Sequence, residues 1–230
     1  MKYQSLIEAR GAVSFPPFMA ERVYMREFLK KDGLPSDLSR WQPTVDAMLE
    51  GVDTDGPIYL MIDAAPVTAG KSHRRRGLHI DGYWNPGSNA HGEHRGVSTH
   101  GSTSGWGATP VGHGAFRRHG SITPSERRHV GQSPFHSAGS DNWEQSTFEA
   151  PEAIILASSL SAAVGYTGEF EGPIRDGGDC AHIDLSGLTQ LNMEAKRVYV
   201  GNVTALHESL PVHQDGVRQL VRLNTAGWSI

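Results

Sequence analysis

The chain is poor in cysteine, in long apolar runs and in the short motifs of several large enzyme classes, and each shortage removes a kind of protein. Cys180 is the one cysteine among 230 residues, so no disulfide closes within the chain and no thiolate cluster can hold a metal, which suits a reducing compartment. No stretch approaches the roughly 20 apolar residues that cross a bilayer. Residues 1–10 mix acid and base where a signal peptide would carry an apolar core. Cytoplasmic residence with no membrane partner is therefore expected. Also missing are a Gly-X-Ser-X-Gly elbow, a Walker-type phosphate loop, a GxGxxG turn after a strand and a His-Glu-X-X-His helix. Their absence argues against serine hydrolases, nucleotide-binding folds and the common zinc proteases.

What is present reads as one β-rich domain spanning residues 1–230, long enough to bury a sizeable core. Runs rich in β-branched and aromatic residues predict strands at 57–63, 77–83, 153–158, 197–202, 203–207 and 217–223, with weaker candidates between 161 and 171. Two flanking helices are expected. One covers 20–31, where Val23, Met25, Phe28 and Leu29 approximate a stripe that ends before Asp32 and Gly33. A shorter one covers 44–50. Between 85 and 150 the chain turns rich in Gly, Ser and His with little apolar periodicity. A connection of that length within a compact domain is unusual and often functional, so an insertion or partly ordered lid over the site is expected there.

The chemistry concentrates in segment 76–84, RGLHIDGYW. On an extended backbone residues two apart share a face, so His79 and Asp81 stand side by side while Ile80 points the other way. His207, 126 residues after Asp81, is the candidate third ligand. Two imidazoles and one carboxylate on one side of a metal leave open positions and suit non-haem Fe(II). A second His-X-Asp triplet, His182-Ile183-Asp184, lies only 23 residues before His207, too few for the strands that should separate two halves of a barrel site. His213 competes with His207, but it sits in a turn-like stretch, whereas His207 follows an apolar run. Arg218 and Arg222 follow His207 by 11 and 15 residues, and their spacing of four puts both on one strand face. Guanidinium groups on such a face can grip a carboxylate through paired hydrogen bonds.

His79, Asp81, a distant His207 and the two arginines together resemble the Fe(II)/2-oxoglutarate-dependent dioxygenases, with spacing similar to the taurine dioxygenase branch. The resemblance implies a double-stranded β-helix (jelly-roll, cupin-like) core carrying the long Gly/His-rich insertion. It implies Fe(II) on His79, Asp81 and His207, and 2-oxoglutarate as cosubstrate with its far carboxylate on Arg218. Arg222 would reach substrate or stand in for Arg218, and Arg76, Tyr83 and Trp84, which flank the ligand pair, are the further substrate-binding candidates. The implied reaction converts substrate C–H, dioxygen and 2-oxoglutarate into C–OH, succinate and carbon dioxide. The interval of 126 residues is long for that family and requires a large insertion.

Charge bears on the substrate. The net charge is −4, yet residues 71–140 hold nine basic residues against three acidic ones, so an acidic body carries a positive middle. An anionic small molecule is the leading substrate class. Nucleobase oxidation, as in the TET/JBP-like and AlkB-like branches, is the alternative, with phosphates on Arg74–Arg76, Arg117–Arg118 and Arg127–Arg128. A non-catalytic cupin-type binding or scaffold protein is the reading from a different class. The histidines of the insertion lack the spacing of a zinc site.

Overall fold

A computed structural model describes residues 1–84, 143 and 146–230. Their architecture is mainly β, with two antiparallel sheets and one α-helix. The larger sheet has six strands, ordered β2 (Ile7–Ala12), β8 (Arg197–Asn202), β5 (Glu152–Ser158), β10 (Gly216–Ala226), β4 (Pro57–Val67) and β3 (Glu21–Leu29). In the smaller sheet β6 (Ala163–Glu171) pairs with β7 (Thr189–Met193) and also with β1 (Lys2–Ser5) and β9 (Leu206–Ser209). All of these pairings are antiparallel.

Strict alternation along the central strands divides the large sheet into two unlike faces. Ile58, Leu60 and Ile62 of β4, Val221 and Leu223 of β10, and Ile155 of β5 form one face. It is covered by Trp41, Val45 and Met48 of the 3-10 turn Ser36–Trp41 and helix α1 (Gln42–Met48). The opposite face carries Met61 and Asp63 of β4, Arg218, Leu220 and Arg222 of β10, and Leu156 and Ser158 of β5, which the register places side by side. That face looks across a cavity at the small sheet, where a separate core of Leu78, Ile80, Tyr83, Val164, Tyr166 and Leu206 lies.

Two expectations about elements are corrected. Residues 20–31 form strand β3 rather than a helix, with Arg22, Val23 and Glu27 in register against Asp63, Ile62 and Tyr59. The register shifts between Val23 and Arg26, where Tyr24 and Met25 together oppose Met61, and Met25 takes a φ of 49°. The bulge breaks the period of two, so that the buried positions Met25 and Phe28 fall three apart and imitate a helical stripe. Residues 77–83 form no continuous strand. Their ladder is reduced to isolated bridges from His79 to His207 and to Asp179. Helix α1 and strands β4, β5, β6, β8 and β10 agree with expectation, and the strand placed at 203–207 begins at Leu206. Strands β1, β2 and β7 were not expected. The insertion expected at 85–150 lies outside the described residues, apart from Trp143 and 146–150.

Candidate metal centre

His79 and His207 meet because their backbones pair. Each donates its N–H to the other's carbonyl at 3.0 Å, which makes them directly opposed residues whose side chains leave on the same face. The segment bearing His79 is held on its other side as well: Ile80 donates to the Gly178 carbonyl at 2.9 Å and Cys180 to that of Leu78 at 3.0 Å. Gly178 is required there, because a Cβ would collide with the Ile80 carbonyl oxygen, and its φ of +76° favours glycine. Beyond Ile80 the chain bends at Gly82, with φ +65°, under the Trp143 ring. Asp81 thereby turns toward the two imidazoles.

The three side chains place ligand atoms within 4.8 Å of one another. The imidazole ring centroids are 4.5 Å apart, and His207 Nε2 is 3.5 Å from Asp81 Oδ2. The tautomers follow from the remaining ring nitrogens. His79 Nδ1 lies 2.8 Å from the Gly77 carbonyl and His207 Nδ1 3.0 Å from that of Ala205. A carbonyl only accepts, so each Nδ1 carries a hydrogen and each Nε2 faces the centre of the group. Burial, reinforced by the neighbouring His207, pushes His79 down to about 3 and keeps it uncharged. Burial would push the Asp81 carboxyl up, but Arg222 and His207 outweigh it and hold the group well below the ordinary carboxylate range. An uncharged His79 imidazole and an ionised Asp81 carboxylate are protonation states that a divalent cation needs.

Arg222 donates to Asp81 Oδ1 at 2.6 Å and leaves Oδ2 toward the histidines. It therefore orients a ligand, a role the sequence alone did not reveal. Arg218 lies four residues back on β10, about 13 Å along a strand, and is only 1% exposed. Its Nε donates to Ser158 Oγ at 2.8 Å, while Nη1 is buried without a hydrogen-bond partner. Burial lowers its pKa to about 10, which still leaves the guanidinium charged at neutral pH. A buried cation with an idle donor beside a cavity is the complement of an organic anion.

That cavity, of about 210 Å³, is lined by the three candidate ligands, both β10 arginines and Trp84. Arg74, expected only as a phosphate contact in the nucleobase alternative, also lines it. Arg74 donates to Asp63 Oδ2 at 3.0 Å, and Arg22 and His73 approach the same buried carboxylate. Among the described residues, four arginines (Arg74, Arg75, Arg218 and Arg222) and two carboxylates (Asp81 and Glu194) line the cavity, so the described lining is positive.

Not every expected site residue is there. Arg76 is exposed and lies away from the cavity wall. Tyr83 is fully buried in the small-sheet core, its ring stacked on Phe148 at 5.6 Å, because the bend at Gly82 turns it inward. His213 is exposed, and so are His182 and Asp184 of the second triplet. Arg117–Arg118 and Arg127–Arg128 lie outside the described residues. Glu152 was also missed. Its Oε1 accepts the Trp84 backbone N–H at 2.6 Å and the Asn224 amide at 3.0 Å, tying the end of the Asp81 segment to the large sheet. A buried acid opening a strand has no sequence signature of that role. Among the described residues no helix is long and apolar enough to cross a membrane. Comparisons with protein-family models, with curated proteins and with solved structures return no match to this chain.

Proposed function

We propose that the protein is an Fe(II)/2-oxoglutarate-dependent oxygenase that hydroxylates a C–H bond of an anionic small molecule, on a β core of the double-stranded β-helix (jelly-roll, cupin-like) type. The observation that carries the reading is the conjunction of two sites on one cavity. His79, Asp81 and His207 converge with both Nδ1 atoms held by backbone carbonyls, and on the same cavity Arg218 is buried with an idle donor. The donor set itself favours the metal: two imidazoles and one carboxylate on one side, without thiolate, suit ferrous iron with open positions. Bound there, iron supplies the redox chemistry that activates dioxygen.

The chain's own groups do the rest. Arg218 receives the far carboxylate of 2-oxoglutarate through its idle Nη1, while Ser158 holds the guanidinium in place by accepting from Nε and donating to the Leu160 carbonyl. Arg222 keeps Asp81 from rotating, so that one carboxylate oxygen serves the metal and the other is neutralised. Leu156, Leu160, Ala163 and Met193 give the cavity apolar walls, which limit water beside the reacting centre. Arg74 and Arg222 supply positive charge for the substrate.

Anaerobic titration of the Fe(II) protein with 2-oxoglutarate tests the reading. A weak visible charge-transfer band, saturating at one equivalent, is the expected result. A wild-type protein that binds Fe(II) without developing the band would remove the assignment.

A further inference from the structure

The bulge in β3 does more than interrupt a pairing. Val23 opposes Ile62 and packs on the core outside the large sheet, and Phe28 does the same opposite Ile58. With strict alternation, one residue would face the cavity opposite Met61. The extra residue lets Met25 bury against Tyr59, Met61 and Leu220 while Tyr24 lines the cavity. Met25 pays for this with a φ of 49°, a conformation that side chains rarely adopt and that persists mainly where the surroundings impose it. Tyr24 meets the Trp84 ring edge-on at 5.5 Å, and Trp84 meets Tyr59 at 6.0 Å. Tyr24 is nonetheless 39% exposed and Trp84 half-buried, so both rings retain surface toward the cavity.

This wall adjoins the cations. Arg222 Nη2 lies 3.4 Å from Met25 Sδ, and Arg74 Nη2 lies 3.4 Å from Met61 Sδ. A ligand seated here meets the Tyr24 and Trp84 rings and the Met61 thioether on one side and two guanidinium groups beside them. Aromatic rings and sulfur both favour a flat apolar body through ring–ring and sulfur–ring contacts. The cavity of about 210 Å³ is below the roughly 300–1,000 Å³ of sites that enclose drug-sized ligands.

Building on the proposed iron and 2-oxoglutarate chemistry, we infer that the substrate is a small aryl carboxylate or similar aromatic anion, its ring against Tyr24 and Trp84 and its charge on Arg74 and Arg222.

The test is calorimetric titration of the anaerobic Fe(II) protein, saturated with 2-oxoglutarate, with aryl carboxylates from benzoate to indole-3-acetate and alkyl carboxylates from butyrate to octanoate. At least one aryl acid should bind about tenfold more tightly than every alkyl acid, and its neutral amide should bind about tenfold more weakly than the acid. Tyr24→Ala should weaken that aryl acid about tenfold, Tyr24→Phe should hold it within about twofold, and both should keep the 2-oxoglutarate band. Equal binding of aryl and alkyl acids, no binding by any aryl acid, or an unchanged affinity in Tyr24→Ala each overturns the inference. The band in the same sample scores the iron reading separately. The aromatic wall needs no metal, so ligand-observed NMR on the metal-free chain still reads the aryl preference if the band is missing.

Discussion

At the scale of single residues, the site depends on which nitrogen each histidine offers. Backbone carbonyls at Gly77 and Ala205 engage both Nδ1 atoms, so the arrangement is set before any metal arrives. His207→Ala should lower Fe(II) affinity by at least about 100-fold, beyond the 10–100-fold typical of losing an outer partner. His213→Ala, on the exposed turn, should leave that affinity unchanged, and metal titration by competition with a chromophoric chelator separates the two. Arg218→Met removes a buried cation that donates to Ser158. Charge-assisted hydrogen bonds are worth about 1.5–3 kcal/mol, so 2-oxoglutarate binding should weaken roughly 10- to 150-fold while Fe(II) binding persists.

Asp63 supplies a pH dependence away from the metal. Burial pushes its carboxyl up, but His73, Arg74 and Arg22 outweigh that and hold it well below the ordinary range. A carboxyl depressed in the folded state contributes stability that is complete above its unfolded pKa of about 3.9 and drains away as pH falls below it. The Tm of the wild type should therefore drop steeply below about pH 4. Asp63→Asn should flatten that limb and cost about 1–3 kcal/mol at neutral pH, because Arg74 and the partly exposed Arg22 lose their counter-ion. Thermal melts from pH 3 to pH 8 check both statements.

At the scale of elements, legibility followed periodicity. Strands β4, β5, β8 and β10 are buried on both faces or nearly so, and their continuous β-branched runs could be read directly. Strand β3 could not, because an inserted residue shifts its alternation and leaves a three-residue spacing that a helix also produces. The convergence of His79, Asp81 and His207 was legible from residue type and order. Its supports were not, since Ser158 and Glu152 reach the site only through pairings between strands distant in the sequence. The Asp81 segment has no continuous ladder of its own, and Glu152 ties its end at Trp84 to Asn224 of β10, alongside the contact of Arg222 with Asp81. Glu152→Ala should loosen Fe(II) binding by about 10-fold, as losses of an outer partner do. Glu152→Gln should largely restore it, because an amide oxygen still accepts from Trp84 and Asn224; the Fe(II) dissociation rate of the three proteins gives the comparison.

At the scale of the whole molecule, one sheet serves two cores with different tasks. Its outer face is a hydrocarbon layer against α1 and the turn before it, and its inner face holds arginines, Asp63 and Ser158 around a cavity. Period-two alternation lets both exist within the same strands, since adjacent residues such as Val221 and Arg222 answer to opposite layers. Stability and site chemistry should therefore separate on mutation. Met48 is fully buried against the outer face, and Met48→Ala should destabilise the fold by about 2–5 kcal/mol through lost burial and the cavity left behind. In the fraction that remains folded, Fe(II) affinity and the 2-oxoglutarate band should match the wild type. Denaturant melts alongside metal titration test this: a parallel loss of metal affinity would mean that the outer layer sets the geometry of the inner one, and that the two faces are mechanically a single unit.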